Sequence, residues 1–166
     1  MKFKLNLIIA SLLMSVLTAS CSDSDDKEML DGNLYTHLYV SVTDEAGVDL
    51  LDPNSETFVL DRTRFNQEHM SYTVDVNPDK ESDLTEPTTL KQRDGRYALY
   101  LFINTAAMQN SVLSIPLADD RNPILLQLNI TTQKTKQKPR IKSFLINDAP
   151  CALYDDNVCT FNYVLK

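Results

Sequence analysis

Alternation of apolar and polar residues governs this chain, and no helical repeat competes with it. Leu34, Thr36, Leu38, Val40 and Val42 fall on one face of an extended segment, with Tyr35, His37, Tyr39 and Ser41 on the other. That two-residue period is the mark of a half-buried strand. Asp94-Gly95 stands between Thr89-Leu90-Lys91-Gln92 and a run from Tyr97 to Ile103. An Asp-Gly pair in that setting predicts a two-residue hairpin, because both turn residues take positive φ. Further strands are expected at Glu56 to Asp61 and Met70 to Val76, rich in Val, Tyr, Phe and Thr. Val112 to Leu117, Ile124 to Thr132, Ile141 to Ile146 and Cys159 to Leu165 complete the set. Eight or nine short strands, separated by turns such as Asp44-Glu45-Ala46-Gly47, predict an all-β chain folded as a single antiparallel β-sandwich. The polar, Pro-flanked stretch from Asn77 to Glu86 reads as a surface loop.

The first 33 residues follow other rules. Lys2 and Lys4 precede an apolar run of 13 residues from Leu5 to Leu17, broken only by Asn6, Ser11 and Ser15. A helix of that length rises about 20 Å, short of the ~30 Å hydrocarbon core, so it reads as an export signal and not as a spanning helix. Leu17-Thr18-Ala19-Ser20-Cys21 then resembles the lipobox of bacterial lipoproteins, with Thr18 in the place usually held by Leu. The resemblance implies cleavage after residue 20 and acylation of Cys21; an ordinary secretory cut that leaves a free thiol is the alternative. Two or more acyl chains make a stable anchor. Ser22-Asp23-Ser24-Asp25-Asp26 resembles the acidic surface-export signal of Bacteroidetes lipoproteins. It serves equally as a solvated spacer. The expected organisation is a signal peptide over 1–20, a lipidated flexible tether over 21–33 and a β-sandwich over 34–166. The expected location is the outer membrane, facing the cell surface rather than the periplasm.

Charge narrows the partners. The chain carries a formal −7, and the first twenty residues hold two lysines and no acid, so the remainder is more acidic still at −9. Nucleic-acid binding is disfavoured, because phosphate contacts need net cation. With Cys21 accounted for, Cys151 and Cys159 remain in an oxidising compartment. Two short strands around Asp155-Asp156-Asn157 bring them within bonding reach. A disulfide closing so short a loop contributes roughly 2–3 kcal/mol on the chain-entropy model. Two free thiols are the alternative; a metal site would need more thiols or nearby histidines, and His37 and His69 are remote in sequence.

The segment Gly47-Val48-Asp49-Leu50-Leu51-Asp52-Pro53, following a strand and an acidic turn, is similar to one in a group of small Bacteroidetes surface lipoproteins. Leu113 to Asp120, Ile124 to Ile130 and Ile141 to Asp148 agree with that group in order. The resemblance implies an immunoglobulin-like or related Greek-key sandwich and brings no catalytic residue. By itself, the motif reads as Leu50 and Leu51 plugging the core, Asp52 accepting local N–H bonds and Pro53 ending the pairing.

No chemistry-bearing constellation emerges. Neither histidine is brought to a serine by the sequence, so both read as isolated surface histidines. There is no phosphate loop and no metal-ligand spacing, and no cofactor is implied. Asp119-Asp120-Arg121-Asn122 and Asp155-Asp156-Asn157 lack the alternate spacing of a calcium loop and read as turns. Two binding features stand out. Lys134, Lys136, Lys138, Arg140 and Lys142 recur at every second residue; extended, they form a row for an anionic ligand, or guard a sheet edge against pairing, as Pro139 beside them suggests. Tyr35 and Tyr39 share a face, with Tyr97 a candidate third on a neighbouring strand, and such a face can stack on sugar rings. The expected function is non-enzymatic: a lipid-anchored envelope protein that binds or scaffolds an extracellular protein. A carbohydrate-binding module and a fimbria-like subunit are the alternatives.

Overall fold

Which residues enter the core follows directly from the alternation. The computed structural model describes residues 34–133, 139–154 and 158–166. In chain order its strands are β1 (Tyr35–Thr43), β2 (Phe65–Asn66), β3 (Ser71–Tyr72), β4 (Asp75–Val76), β5 (Thr89–Arg93), β6 (Arg96–Asn104), β7 (Ser111–Ile115), β8 (Ile124–Gln133), β9 (Arg140–Ile146), β10 (Ala149–Pro150), β11 (Ala152–Tyr154) and β12 (Val158–Val164). They form a seven-stranded sheet in the order β11-β12-β1-β6-β5-β3-β2 and a five-stranded sheet in the order β10-β9-β8-β7-β4. Thr36, Leu38, Val40 and Val42 of β1 point inward and are buried, joined by Leu99, Leu101 and Ile103 of β6. Leu113, Ile115, Leu126, Leu128, Ile130, Phe144 and Ile146 meet them from the other sheet. Each fully buried aliphatic side chain contributes about 1.5–3 kcal/mol. The all-β sandwich expected from the alternation is what forms.

Its details differ from the expectation in four places. Twelve strands appear where eight or nine were expected, because five of them have only two or three residues. The sandwich is not purely antiparallel, since β1 pairs parallel with β12, Leu38 lying opposite Cys159. Met70 to Val76 is not one strand: Ser71–Tyr72 joins the seven-stranded sheet and Asp75–Val76 pairs with β7 in the other. Buried Val74 marks the crossing. Glu56 to Asp61 is reduced to a single bridge between Leu60 and Leu117. Asp61 N–H donates to Pro116 O at 3.2 Å and Ala118 N–H to Val59 O at 2.8 Å, and Pro116 has no N–H with which to extend the ladder. Between Asn77 and Glu86, the expected loop contains a short 3₁₀ turn, Pro78–Asp83, with no buried residue.

Turns and plugs behave as their chemistry requires. Asp94 (φ 50°) and Gly95 (φ 80°) are both left-handed, which fixes the β5–β6 register with Arg93 opposite Arg96 and Thr89 opposite Tyr100. Leu50 and Leu51 are buried at one end of the core. Asp49 holds them there: its carboxylate accepts from Leu51 N–H at 2.9 Å and from Tyr97 N–H at 2.8 Å on β6. Asp52 accepts from Asn54 N–H at 2.9 Å, the Asx turn expected of it. Cys151 and Cys159 are joined in a disulfide with Cα atoms 6.1 Å apart. Cys151 N–H donates to Phe144 O on β9 at 2.9 Å, while Cys159 lies in β12. The staple therefore sits where the chain leaves one sheet for the other. Cys21, the tether and the signal segment lie outside the described residues, as do Asp155, Asp156 and Asn157.

Candidate functional site

The outer face of the seven-stranded sheet gathers the side chains best suited to recognition. Its arrangement starts from register. β1 and β6 pair so that His37 faces Phe102 and Tyr39 faces Tyr100, and residues directly opposite share a face. The Tyr35 and Phe102 rings stack at 5.3 Å between centroids. His37 lies 4.8 Å from the Phe102 ring and 5.7 Å from that of Tyr100. Tyr39 and Tyr100 meet at 5.2 Å. A continuous aromatic strip results, each contact contributing about 0.5–1.5 kcal/mol beyond area burial. His37 Nδ1 and the Tyr100 hydroxyl are 2.8 Å apart, so His37 is engaged within the strip, not isolated as the sequence suggested. His69 is in the turn after β2, its N–H directed at Asn66 Oδ1 at 3.4 Å. Burial, followed by the charge of Glu86, raises the Tyr100 phenol above its ordinary pKa.

Cations cover this strip. Alternation along β5 puts Lys91 and Arg93 on the outer face, beside β6. Lys91 Nζ sits 3.6 Å above the Tyr100 ring and Arg93 Cζ 4.5 Å above the Tyr39 ring. Arg93 also lies 5.9 Å from the ring of Tyr154, which is 55% exposed on β11. Arg96 stands across the hairpin from Arg93. None of the three cations forms an ion pair with a described residue. Small Ser41 and Ala98 leave a cleft of about 410 Å³ among Tyr39, Arg93, Arg96 and Tyr154, which Asp94 and Tyr97 also line.

The residues singled out from sequence are distributed unevenly over this geometry. Tyr35 and Tyr39 lie on the strip as expected, but their rings are occupied by protein neighbours. Tyr97 shares the inward parity of Leu99 and packs against the core, yet it also lines the cleft beside Tyr39. Tyr100 and Phe102 take the places next to them. Lys134, Lys136 and Lys138 fall outside the described residues. Arg140 and Lys142 are exposed, but a register shift between Thr131 and Thr132 skips Lys142, so strict alternation is interrupted between them. Asp119 and Asp120 both take positive φ in a turn, and Arg121 reaches Asp119 at 3.4 Å. Among the described residues no group of three or more His, Cys, Asp or Glu is placed to hold a metal ion.

Lys91, Arg93, Arg96, Tyr100, Phe102 and Tyr154 were not singled out in sequence. A usable signal existed for five of them. Counting outward by twos from Asp94-Gly95 places Arg93 and Arg96, then Lys91, then Tyr100 and Phe102 on one face. Tyr154 had no such signal, because its place depends on β11 joining the far edge of β12. Comparison with known proteins finds no match for this chain, whether among protein-family models, curated proteins or solved structures.

Proposed function

We propose that this chain is a non-enzymatic, lipid-anchored protein of the outer membrane. It displays its sandwich at the cell surface and holds an acidic protein partner on the outer face of the seven-stranded sheet. The observation that carries the reading is the set Lys91, Arg93 and Arg96: three cations on one face, without an ion pair among the described residues, in a chain of formal charge −7. Complementary charge of this kind speeds encounter and selects partners more than it adds affinity. The covered rings favour a protein over a glycan, because a sugar needs a bare aromatic face and two of the tyrosines already carry a cation. The anchor and the surface location rest on the lipobox-like Leu17 to Cys21 and the acidic run after it.

The test uses the full chain in its own envelope, with a photo-crosslinking residue in place of Tyr154. The expected result is a discrete adduct whose yield falls at least tenfold when Lys91, Arg93 and Arg96 are changed together to Glu. An adduct of unchanged yield overturns the assignment of this face. Cys21→Ser should release the protein from the membrane fraction, and retention there would overturn the anchor.

A further inference from the structure

Unpaired charge of each sign is gathered at a separate place on this chain. On the outer face of the seven-stranded sheet, Lys91, Arg93 and Arg96 stand with the carboxylate of Asp94 beside them, and none of the four forms an ion pair among the described residues. Lys91 rests over Tyr100 and Arg93 over Tyr39, its cross-strand neighbour, so the two charges are offset across the sheet toward β1. Arg93, Arg96 and Asp94 line the cleft, and Lys91 stands outside it. The opposite charge is gathered in the loop 78–86, which carries Asp79, Glu81, Asp83 and Glu86 against Lys80 alone. Asp79, Glu81 and Glu86 are exposed. Lys80 Nζ donates to Ala107 O, and no acid of the loop has an ion pair among the described residues. Thr85 N–H donates to Phe102 O at 3.3 Å and Leu84 bridges Ile103, which fixes the loop at one end of β6. Arg96 is six residues away along that extended strand, a span of about 20 Å, so the turn and the cleft are held at different ends of β6.

We propose that the acidic partner of this face is a second copy of the chain, whose loop 78–86 enters the cationic cleft. The 3₁₀ turn Pro78–Asp83 has no buried residue and is free to be received. Small Ser41 and Ala98 in the cleft make room for it. Its carboxylates meet Arg93 and Arg96, each of whose guanidinium forks can donate two parallel bonds to a carboxylate, while Lys91 adds its charge at the rim. Asp94 reduces the charge of the cleft without cancelling two arginines. Each copy carries a formal −7, so two copies repel over most orientations. Only the apposition of loop and cleft is attractive, and this selects how the copies meet. Each chain offers one loop and one cleft, so such contacts join copies into pairs, rings or rows. The inference rests on the reading of this face as a recognition surface and names the partner it takes.

The test mixes donor-labelled and acceptor-labelled full-length protein, each in a large excess of detergent micelles, and follows energy transfer against protein concentration. The half-maximal concentration should rise at least tenfold when Lys91, Arg93 and Arg96 are changed together to Glu, and equally when Asp79, Glu81 and Asp83 are changed together to Lys. Mixing these two variants should bring it back to within threefold of wild type, because the acidic loop of the first then meets the intact cations of the second. Lys142→Gln should leave it within twofold. Thermal melting establishes that both triple variants fold. Absence of transfer in the wild type, or transfer unchanged in the loop variant, overturns the second copy as partner. Folded variants that fail to restore transfer when mixed overturn the contact of loop with cleft. If self-association fails while a charge-dependent adduct at position 154 forms with another protein, this inference falls and the recognition face stands. Loss of that charge dependence as well would remove both.

Discussion

The two sheets of the sandwich are alike inside and unlike outside. Their inner sides carry the same aliphatic residues and bury them equally, Leu99 and Leu101 on one, Leu126 and Leu128 on the other. Outside, the seven-stranded sheet carries aromatic rings under cations. The five-stranded sheet carries the uncharged pairs Val112–Gln127, Ser114–Leu125, Asn129–Leu145 and Thr131–Ser143 over most of its outer side, with charge only at its margins, where Asp75 faces Ser114 and Arg140 faces Gln133. Thr131 and Ser143 satisfy each other with hydroxyls 2.6 Å apart. Period-2 alternation demands apolar residues only on the side that faces the core. What the other side carries is free to serve something besides folding, and here the two outer sides have been filled in different ways.

The largest expected effects test the likeness. Leu101→Ala and Leu126→Ala remove equivalent side chains from opposite sides of one core, so each should cost about 2–5 kcal/mol in urea unfolding. Lys91→Gln and Gln127→Ala, on the two outer faces, should each stay within about 0.5 kcal/mol of wild type. A Leu126→Ala cost under about 1 kcal/mol would break the comparison, because the five-stranded sheet would then not share the core. A large cost for Lys91→Gln would make the cationic face structural.

That contrast also explains what could be read from sequence. The inner faces were legible because alternation and the Asp94-Gly95 turn report local preferences, and β1, β5, β6, β7, β8, β9 and β12 lie where that pattern puts them. The split at Val74 and the parallel β1–β12 pair were hidden, since neither sheet exchange nor strand neighbourhood leaves a local mark. A smaller part of the proposed recognition face was legible in the same sense: Tyr35 and Tyr39 follow from β1 alone. Tyr97 falls on the inward parity because the count runs from the turn, where Gln92 stands opposite it. Tyr154 required knowing that β11 attaches beyond β12, through a crossing stapled by Cys151.

Tyrosines sharpen the comparison at an intermediate size. Tyr100 belongs to the outer face; Tyr72 is almost wholly inside, its hydroxyl donating to Pro116 O. Burial, then the charge of Asp61, pushes the Tyr72 phenol from 10.0 up to about 12. Its folded pKa is raised, so its contribution to stability is complete below pH 10 and is lost as pH climbs toward 12. The loss should reach about 2–3 kcal/mol, since each tenfold difference in proton affinity between the folded and unfolded chain is worth ~1.4 kcal/mol. Urea unfolding from pH 8.5 to 11.5 checks it. Tyr72→Phe should start lower by about 1 kcal/mol for the missing hydrogen bond and fall less steeply across that range. Parallel pH curves for the two proteins would mean that Tyr72 ionises as freely as an outer tyrosine.

The smallest expected effect concerns the tight turns, one in each sheet. β5 and β6 are joined by Asp94-Gly95, and β9 and β10 by Asn147-Asp148, with all four residues at positive φ. Only the second turn asks an aspartate, at φ 63°, to occupy the place glycine holds in the first. Left-handed backbone costs an L-residue of this type some free energy, and glycine avoids that strain at an entropic cost. Asn147 anchors the turn independently: its carboxamide accepts from Gln127 N–H at 2.8 Å and donates to Leu125 O at 3.1 Å. Asp148 contributes only a 3.4 Å contact with Asn129 Nδ2. Asp148→Gly should therefore stabilise the protein by about 0.5 kcal/mol in urea unfolding, with the β9–β10 register intact. Gly95→Asp should destabilise by a similar amount, because nothing lies within 4 Å of the added Cβ and only backbone strain is introduced. Opposite signs for the two substitutions would show that the turns differ in residue and not in geometry; equal signs would mean that the Asp148 side chain holds the five-stranded sheet together in a way its contacts do not account for.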